Sequence, residues 1–95
     1  MTTSNDLSVH GHVTIRYWAS ARAAAGRESD SVPAGTLAEA LAAVRALHAE
    51  SSRFADVLAI CSILVGSDPV GSRDPAHIDL RPGDVVELLP PFAGG

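Results

Sequence analysis

From His12 the chain alternates: Val13, Ile15 and Tyr17 fall on one side and Thr14, Arg16 and Trp18 on the other, the period-two pattern of a half-buried strand. Trp18 then stands on the more polar face, where an exposed aromatic either covers a sheet edge or anchors a partner. Ala19 to Gly26 is Ala-rich with Arg22 inside it. That composition favours one or two helical turns, ended by Gly26 as a C-cap. Glu28 to Val32 is more polar and reads as a short edge strand, antiparallel to the first.

The clearest local signal is Thr36-Leu37-Ala38-Glu39, a capping box in which Thr36 caps a helix and Glu39 reaches back to its amide. Leu37, Leu41, Val44 and Leu47 follow at helical spacing with Ala40 and Ala43 beside them, so one apolar stripe should lie across a sheet. Glu39 and Arg45 face away, and Ala-rich composition carries the helix to about Glu50. His48, near its C-terminal end, would favour the helix dipole if charged. Ser51-Ser52 breaks the pattern, and Arg53 to Ala59 supplies one more turn that brings Phe54, Val57 and Leu58 to the core. Ile60 to Gly66 reads as the next strand, with Cys61, Ile63 and Val65 inward and Ile60, Ser62 and Leu64 outward.

Ser67 to Asp74 is a connection rich in turn residues, and His77 to Leu80 a brief extended piece. Arg81-Pro82-Gly83-Asp84 has the type II arrangement, with Pro82 at the second position and Gly83 supplying positive φ at the third. Val85 to Leu89 is the last strand, with Val86 and Leu88 inward and Glu87 outward. The order strand, strand, helix, then further strands predicts an α+β fold of the β-grasp type. Its mixed sheet would have four to five strands, with one main helix over about residues 37–50 packed across one face. The first and last strands would lie side by side in mid-sheet. Residues 1–11 read as a flexible leader, 12–91 as the domain, and 92–95 as a flexible tail.

Ninety-five residues, 46% of them hydrophobic but only 4% aromatic, allow a single aliphatic core. The formal net charge of -4 gives no cationic face for nucleic acid or an anionic membrane, and a partner with a basic docking surface fits better. There is no lysine. Cys61 is the only cysteine, which excludes an internal disulfide and a multi-thiolate metal site and suits a cytoplasmic chain. The first twelve residues lack the basic and apolar regions of a signal peptide. His10-Gly-His12 reads as part of a solvated leader and not as a metal site. Neither a Gly-rich phosphate loop nor a nucleophile elbow is present, so the chemistry must come from another protein.

That shifts attention to Pro90-Pro91-Phe92-Ala93-Gly94-Gly95. The prolines end the last strand because they donate no ladder hydrogen bond, and they project the final residues away from the body. Gly94 and Gly95, without side chains, can thread a channel too narrow for any other residue. If the first and last strands are adjacent, outward Arg16, Trp18, Val85 and Leu89, with Leu64 nearby, make a mixed apolar patch beside the tail. Cys61, placed inward, would be a small hydrophobe with a raised pKa rather than a sulfur source.

Three segments carry a resemblance: Ile15 to Gly26 (IRYWASARAAAG), Leu80 to Leu89 (LRPGDVVELL) and the PPFAGG ending. With the helix from Leu37 they cover about residues 12–95. They resemble the small sulfur-carrier subunit of molybdopterin synthase, the MoaD-like branch of the ubiquitin-like β-grasp proteins of the MoaD/ThiS superfamily. Phe92 departs from that pattern, standing where a smaller aliphatic is expected, as does the leader. The resemblance implies a non-catalytic carrier in molybdenum cofactor biosynthesis. An adenylyltransferase of the ubiquitin-activating type would adenylate the Gly95 carboxylate with ATP, and a sulfur donor would convert it to a thiocarboxylate. Phe92, Ala93, Pro91, Leu89, Trp18 and Arg16 would contact a MoaE-like large subunit. Gly94 would give clearance, and no cofactor would be bound. Sulfur carriers of thiamine or cysteine synthesis, and ubiquitin-like protein modifiers, share the ending. The Pro-Pro pair and the Ala19 to Gly26 segment favour the molybdopterin branch.

Overall fold

The computed structural model describes residues 11–91. The leader up to His10 and the ending Phe92, Ala93, Gly94 and Gly95 lie outside the described residues. The strands are β1 (His12–Tyr17), β2 (Ser29–Pro33), β3 (Ser62–Val65), β4 (Asp68–Pro69) and β5 (Val85–Leu89). The helices are α1 (Ala19–Ala25), α2 (Leu37–Leu47) and α3 (Ser52–Ile60), with a 3-10 turn at Pro75–His77. The sheet runs β2-β1-β5-β3-β4, with β1 and β5 parallel and the other pairs antiparallel. This mixed five-stranded sheet with three helices is the ubiquitin-like β-grasp, an α+β fold, and it puts β5 in mid-sheet.

The alternation of β1 and β5 sets the inner face. Val13, Ile15, Tyr17, Val86 and Leu88 are all buried, and they meet Leu37, Ala40, Leu41 and Val44 of α2 with Phe54 and Leu58 of α3 in one core. Both helices begin on side-chain caps: the Thr36–Glu39 capping box is complete, and Ser51 accepts from the Phe54 amide at 3.0 Å. Gly26, at φ +75°, caps α1 in the left-handed conformation open to glycine, its amide donating to Arg22 O. At the other turn Gly83 has φ +91° and the Asp84 amide donates to Arg81 O at 2.9 Å.

Several expectations need correction. α2 ends at Leu47, not Glu50, and Leu47 is 54% exposed instead of completing the stripe. The reason is His48, which leaves helical geometry (φ -114°, ψ 32°) so that the chain can turn into α3, the Ser51 amide donating to His48 O. The single turn expected over 53–59 is a nine-residue helix. Ile60 closes that helix, and Cys61 is its C-cap, so the strand starts at Ser62 rather than Ile60. The connection after Ser67 contains β4, which pairs Asp68 with Val65 and Pro69 with Leu64 across a two-residue turn. Pro69 blunts that edge. His77 belongs to the 3-10 turn, and the residues after it join the start of α2 through a Thr36–Asp79 bridge and the Leu37 amide on Ile78 O.

Candidate functional site

The end of β5 is where the fold delivers the chain to its last residues. β5 is held on both sides there: the Trp18 amide donates to Leu88 O at 3.2 Å, and Leu89 pairs with Ser62 of β3. Pro90 and Pro91 then carry no amide hydrogen, so neither can donate a ladder bond to a neighbouring strand. Pro91 is exposed. The predicted residues Gly94, Gly95, Phe92 and Ala93 lie outside the described residues.

On the outer face of the sheet the register places Arg16 beside Glu87, and Glu87 beside Leu64. Three side chains converge there. The Trp18 indole Nε1 donates to Glu87 Oε1 at 2.6 Å, and Arg16 Nη1 lies 3.7 Å from Glu87 Oε2. The Arg16 guanidinium also lies over the Trp18 ring, 5.0 Å from its centroid, in the cation–π arrangement. Trp18 remains 42% exposed. The structure thus brings Arg16 and Trp18 together and puts Leu89 at the same sheet end, as the alternation predicts. It separates Val85, which pairs with Thr14 at the other end of the strand. The patch is also less apolar than expected, because Glu87 stands at its centre and ties the other two. Glu87 is legible in the sequence as outward-facing; its role depends on the parallel register with β1, which the sequence does not display.

Directly behind this cluster, on the inner face, lies a polar group that sequence reasoning missed. The Tyr17 hydroxyl donates to Asp30 Oδ2 at 2.7 Å, and His48 Nε2 lies 2.8 Å from the same oxygen. Since a carboxylate only accepts, His48 donates through Nε2. Arg27 reaches Asp30 Oδ1 at 3.2 Å from the surface. The His48 ring stacks on Phe54, centroids 4.3 Å apart, while Tyr17 meets both edge-on. The side chains of His48 and Asp30 are only 7% and 8% exposed. Burial first, then the hydrogen bond to Asp30 and its charge, push the Tyr17 hydroxyl well above its usual pKa. His48, at the C-terminal end of α2 as expected, thus also holds Asp30, a role its sequence position does not announce.

Cys61 is half-buried rather than buried, with its thiol donating to Val57 O at 3.3 Å beside a hollow of about 410 Å³. Burial raises its pKa, which keeps it a thiol and not a nucleophilic thiolate. Among the described residues no cluster of three or more His, Cys, Asp or Glu could hold a metal ion. No helix among them is long and apolar enough to cross a membrane.

A search of curated proteins returns no match. Among solved structures, the chain is similar to one from the complex of subunits 1 and 2 of molybdopterin-converting factor of Helicobacter pylori. The identity is 27% and the TM-score 0.61, over 88% of this chain and 99% of that one. It is also similar to the HVO 2177 protein of Haloferax volcanii, at 25% identity and TM-score 0.66 over 90% and 87% of the two chains. Small archaeal modifier protein 1 of the same organism shares the fold, at 23% identity and TM-score 0.71, over 90% of this chain and all of that one. The ThiS family model matches residues 15–95, which takes in both strands of the mid-sheet pair, the Arg16–Trp18–Glu87 cluster and the Gly-Gly ending. The chain belongs to the ThiS family of ubiquitin-like β-grasp sulfur carriers.

Proposed function

We propose that the chain is the small, sulfur-carrying subunit of a molybdopterin synthase, working through the carboxyl of Gly95. The observation that carries this reading is the placement of β5: a mid-sheet strand, held on the β1 side as far as Leu88 and on the β3 side as far as Leu89, that runs into Pro90-Pro91 and then Gly94-Gly95. A rigid base of this kind aims a narrow ending at a partner's site. The 27% identity to a chain of the molybdopterin-converting factor complex favours this branch over the others.

A carboxylate is a poor electrophile, so it must first be activated. The Gly95 carboxylate attacks the α-phosphate of ATP on an adenylyltransferase, releasing pyrophosphate and leaving an acyl adenylate. A donor of sulfide-level sulfur then displaces AMP to give the thiocarboxylate. In the MoaE-like large subunit that sulfur passes to cyclic pyranopterin monophosphate as the dithiolene forms, and water restores the carboxylate. This chain's contribution is delivery, with Gly94 giving clearance and Phe92, Ala93, Pro91, Leu89, Trp18 and Arg16 meeting the partner.

The test is to incubate the chain with ATP, the adenylyltransferase and a sulfur donor and weigh it. The expected gain is that of one sulfur replacing one oxygen, and with the large subunit the product should yield molybdopterin. A chain lacking Gly94 and Gly95 loses no core side chain, so it should unfold within a few degrees of the parent and gain no sulfur. Sulfur transfer by that truncated chain, or recovery of the parent as ladders on other proteins, would reject the carrier reading.

A further inference from the structure

We propose that the hollow between the C-terminal ends of α1 and α2 is a binding site for an aliphatic cation, an ammonium or guanidinium group carried on an apolar stem. The hollow, of about 450 Å³, lies between Ala24 and Ala25 of α1 and the segment from Ala46 to Ser51 that ends α2 and turns into α3. His48 supplies its deciding atom. Nε2 of that ring is committed to Asp30 at 2.8 Å and the ring is stacked on Phe54, so the imidazole cannot turn without losing both contacts. In the neutral ring the hydrogen is then fixed on Nε2, and Nδ1 is left a bare acceptor. The side chain is only 7% exposed. No hydrogen bond among the described residues reaches Nδ1, yet no buried polar side-chain atom among them lacks a partner. Nδ1 is therefore the part of the ring left open, and it opens on the hollow that His48 lines.

The side chains around Nδ1 select the ligand. Glu50, also in the wall, is exposed and enters none of the ion pairs among the described residues. Ser51 Oγ already accepts from the Phe54 amide. A lone pair beside a carboxylate repels an anion and attracts a donor that is positively charged. The helix ends do not decide the sign, because two C-termini and the N-terminus of α3 meet there. Two side-chain ligands also fall short of the three or four that hold a metal ion. The rest of the wall is aliphatic, alanine methyls with the exposed Leu47, and it suits the stem of the ligand. Asp30 does not compete for the cation, since Arg27 holds its Oδ1 while Tyr17 and His48 hold its Oδ2. Sulfur transfer uses none of these groups, so the site stands or falls apart from the carrier reading.

The experiment follows the His48 ring nitrogens and the backbone amides by NMR while the full chain is titrated with butylguanidinium. A saturable shift centred on residues 46–51 is expected. Methylguanidinium, which lacks most of the stem, should bind about tenfold more weakly, and neutral butylurea should give no saturable shift. Glu50→Gln removes an exposed charge and no packing, so it should unfold with the parent and bind about threefold more weakly. A linear response to butylguanidinium, an equal response to butylurea, or full affinity in Glu50→Gln overturns the site. Two further probes identify the source of the cation: spermidine stands for a free polyamine and a Gly-Arg-Gly peptide for the side chain of a protein. The tighter of the two assigns it.

Discussion

Tyr17 and Trp18 are consecutive aromatic residues, and each donates one hydrogen bond to a carboxylate at nearly the same distance: Tyr17 to Asp30 at 2.7 Å, Trp18 to Glu87 at 2.6 Å. One step along the backbone puts them on opposite faces of the sheet. On the inner face Asp30 is shielded from water, and it also holds His48. On the outer face Glu87 shares its charge with Arg16, whose side chain is 48% exposed, and the indole remains in solvent. The same hydrogen bond thus has different consequences. In the dry site each polar group depends on the other, because no water can replace a lost partner. In the wet site water competes for every group, so the bond orients Trp18 but adds little stability. The first region holds the end of β1 to the core, and the second presents a surface.

The sharpest way to break this comparison is to remove each carboxylate. Asp30→Ala leaves a buried hydroxyl and a buried imidazole without their acceptor, and at 1–3 kcal/mol for each such group the loss should be about 3 kcal/mol. Glu87→Ala removes an exposed acceptor and should cost less than about 1 kcal/mol. Urea unfolding of the two variants measures both. Equal losses would mean that burial does not separate the two sites.

The next effect is a pH dependence that only the buried side should show. The Tyr17 pKa is raised in the folded chain above its usual 10, so above pH 10 the unfolded chain gives up this proton more readily than the folded one. The contribution of Tyr17 is fully present below pH 10 and is lost as pH rises beyond it, at up to about 1.4 kcal/mol per pH unit for one proton. Cys61, also raised, adds a loss of the same sign that begins nearer pH 9. Tyr17→Phe should therefore flatten the fall in stability above pH 10 and leave the Cys61 part. An unchanged slope in denaturant titrations from pH 9 to 11 would remove Tyr17 from the account.

The two mid-sheet strands and most of the outer cluster are legible in the sequence because their signals are local. Alternation places Arg16, Trp18 and Leu89, the capping box places the start of α2, and Pro82-Gly83 places the turn into β5. α3 reads short because its cap, Ser51, has Phe54 and not Glu or Gln three residues on, so no capping box announces it. β4 has two residues, too few for any period. The Tyr17–Asp30–His48 group is assembled from three elements distant in sequence. One clue to it exists: Asp30 has the same parity in β2 as inward-facing Val32, and a charge at a core-facing position of an edge strand requires a partner. The alternation alone assigns Ile60 to a strand, and only the extension of α3 makes its exposure visible.

The smallest predicted effect concerns the junction that separates the two faces. Ala19 follows Trp18 with φ +48°, in the left-handed region, and it is the one non-glycine residue with positive φ among the described residues. That conformation costs an L-residue roughly 1–2 kcal/mol relative to the right-handed one. Glycine relieves the strain but loses about 0.5–1 kcal/mol through the greater freedom of the unfolded chain. The two terms oppose each other, and Ala19→Gly should stabilise the fold by about 0.5 kcal/mol. If the strain is instead what holds the indole on Glu87, the same variant should free Trp18, seen as a drop in fluorescence anisotropy from the only tryptophan. A gain in stability with Trp18 still ordered would show that the bond to Glu87 alone places the ring. A loss above about 1 kcal/mol would mean that Ala19 is not strained and that the turn from β1 into α1 is set by packing of its methyl group.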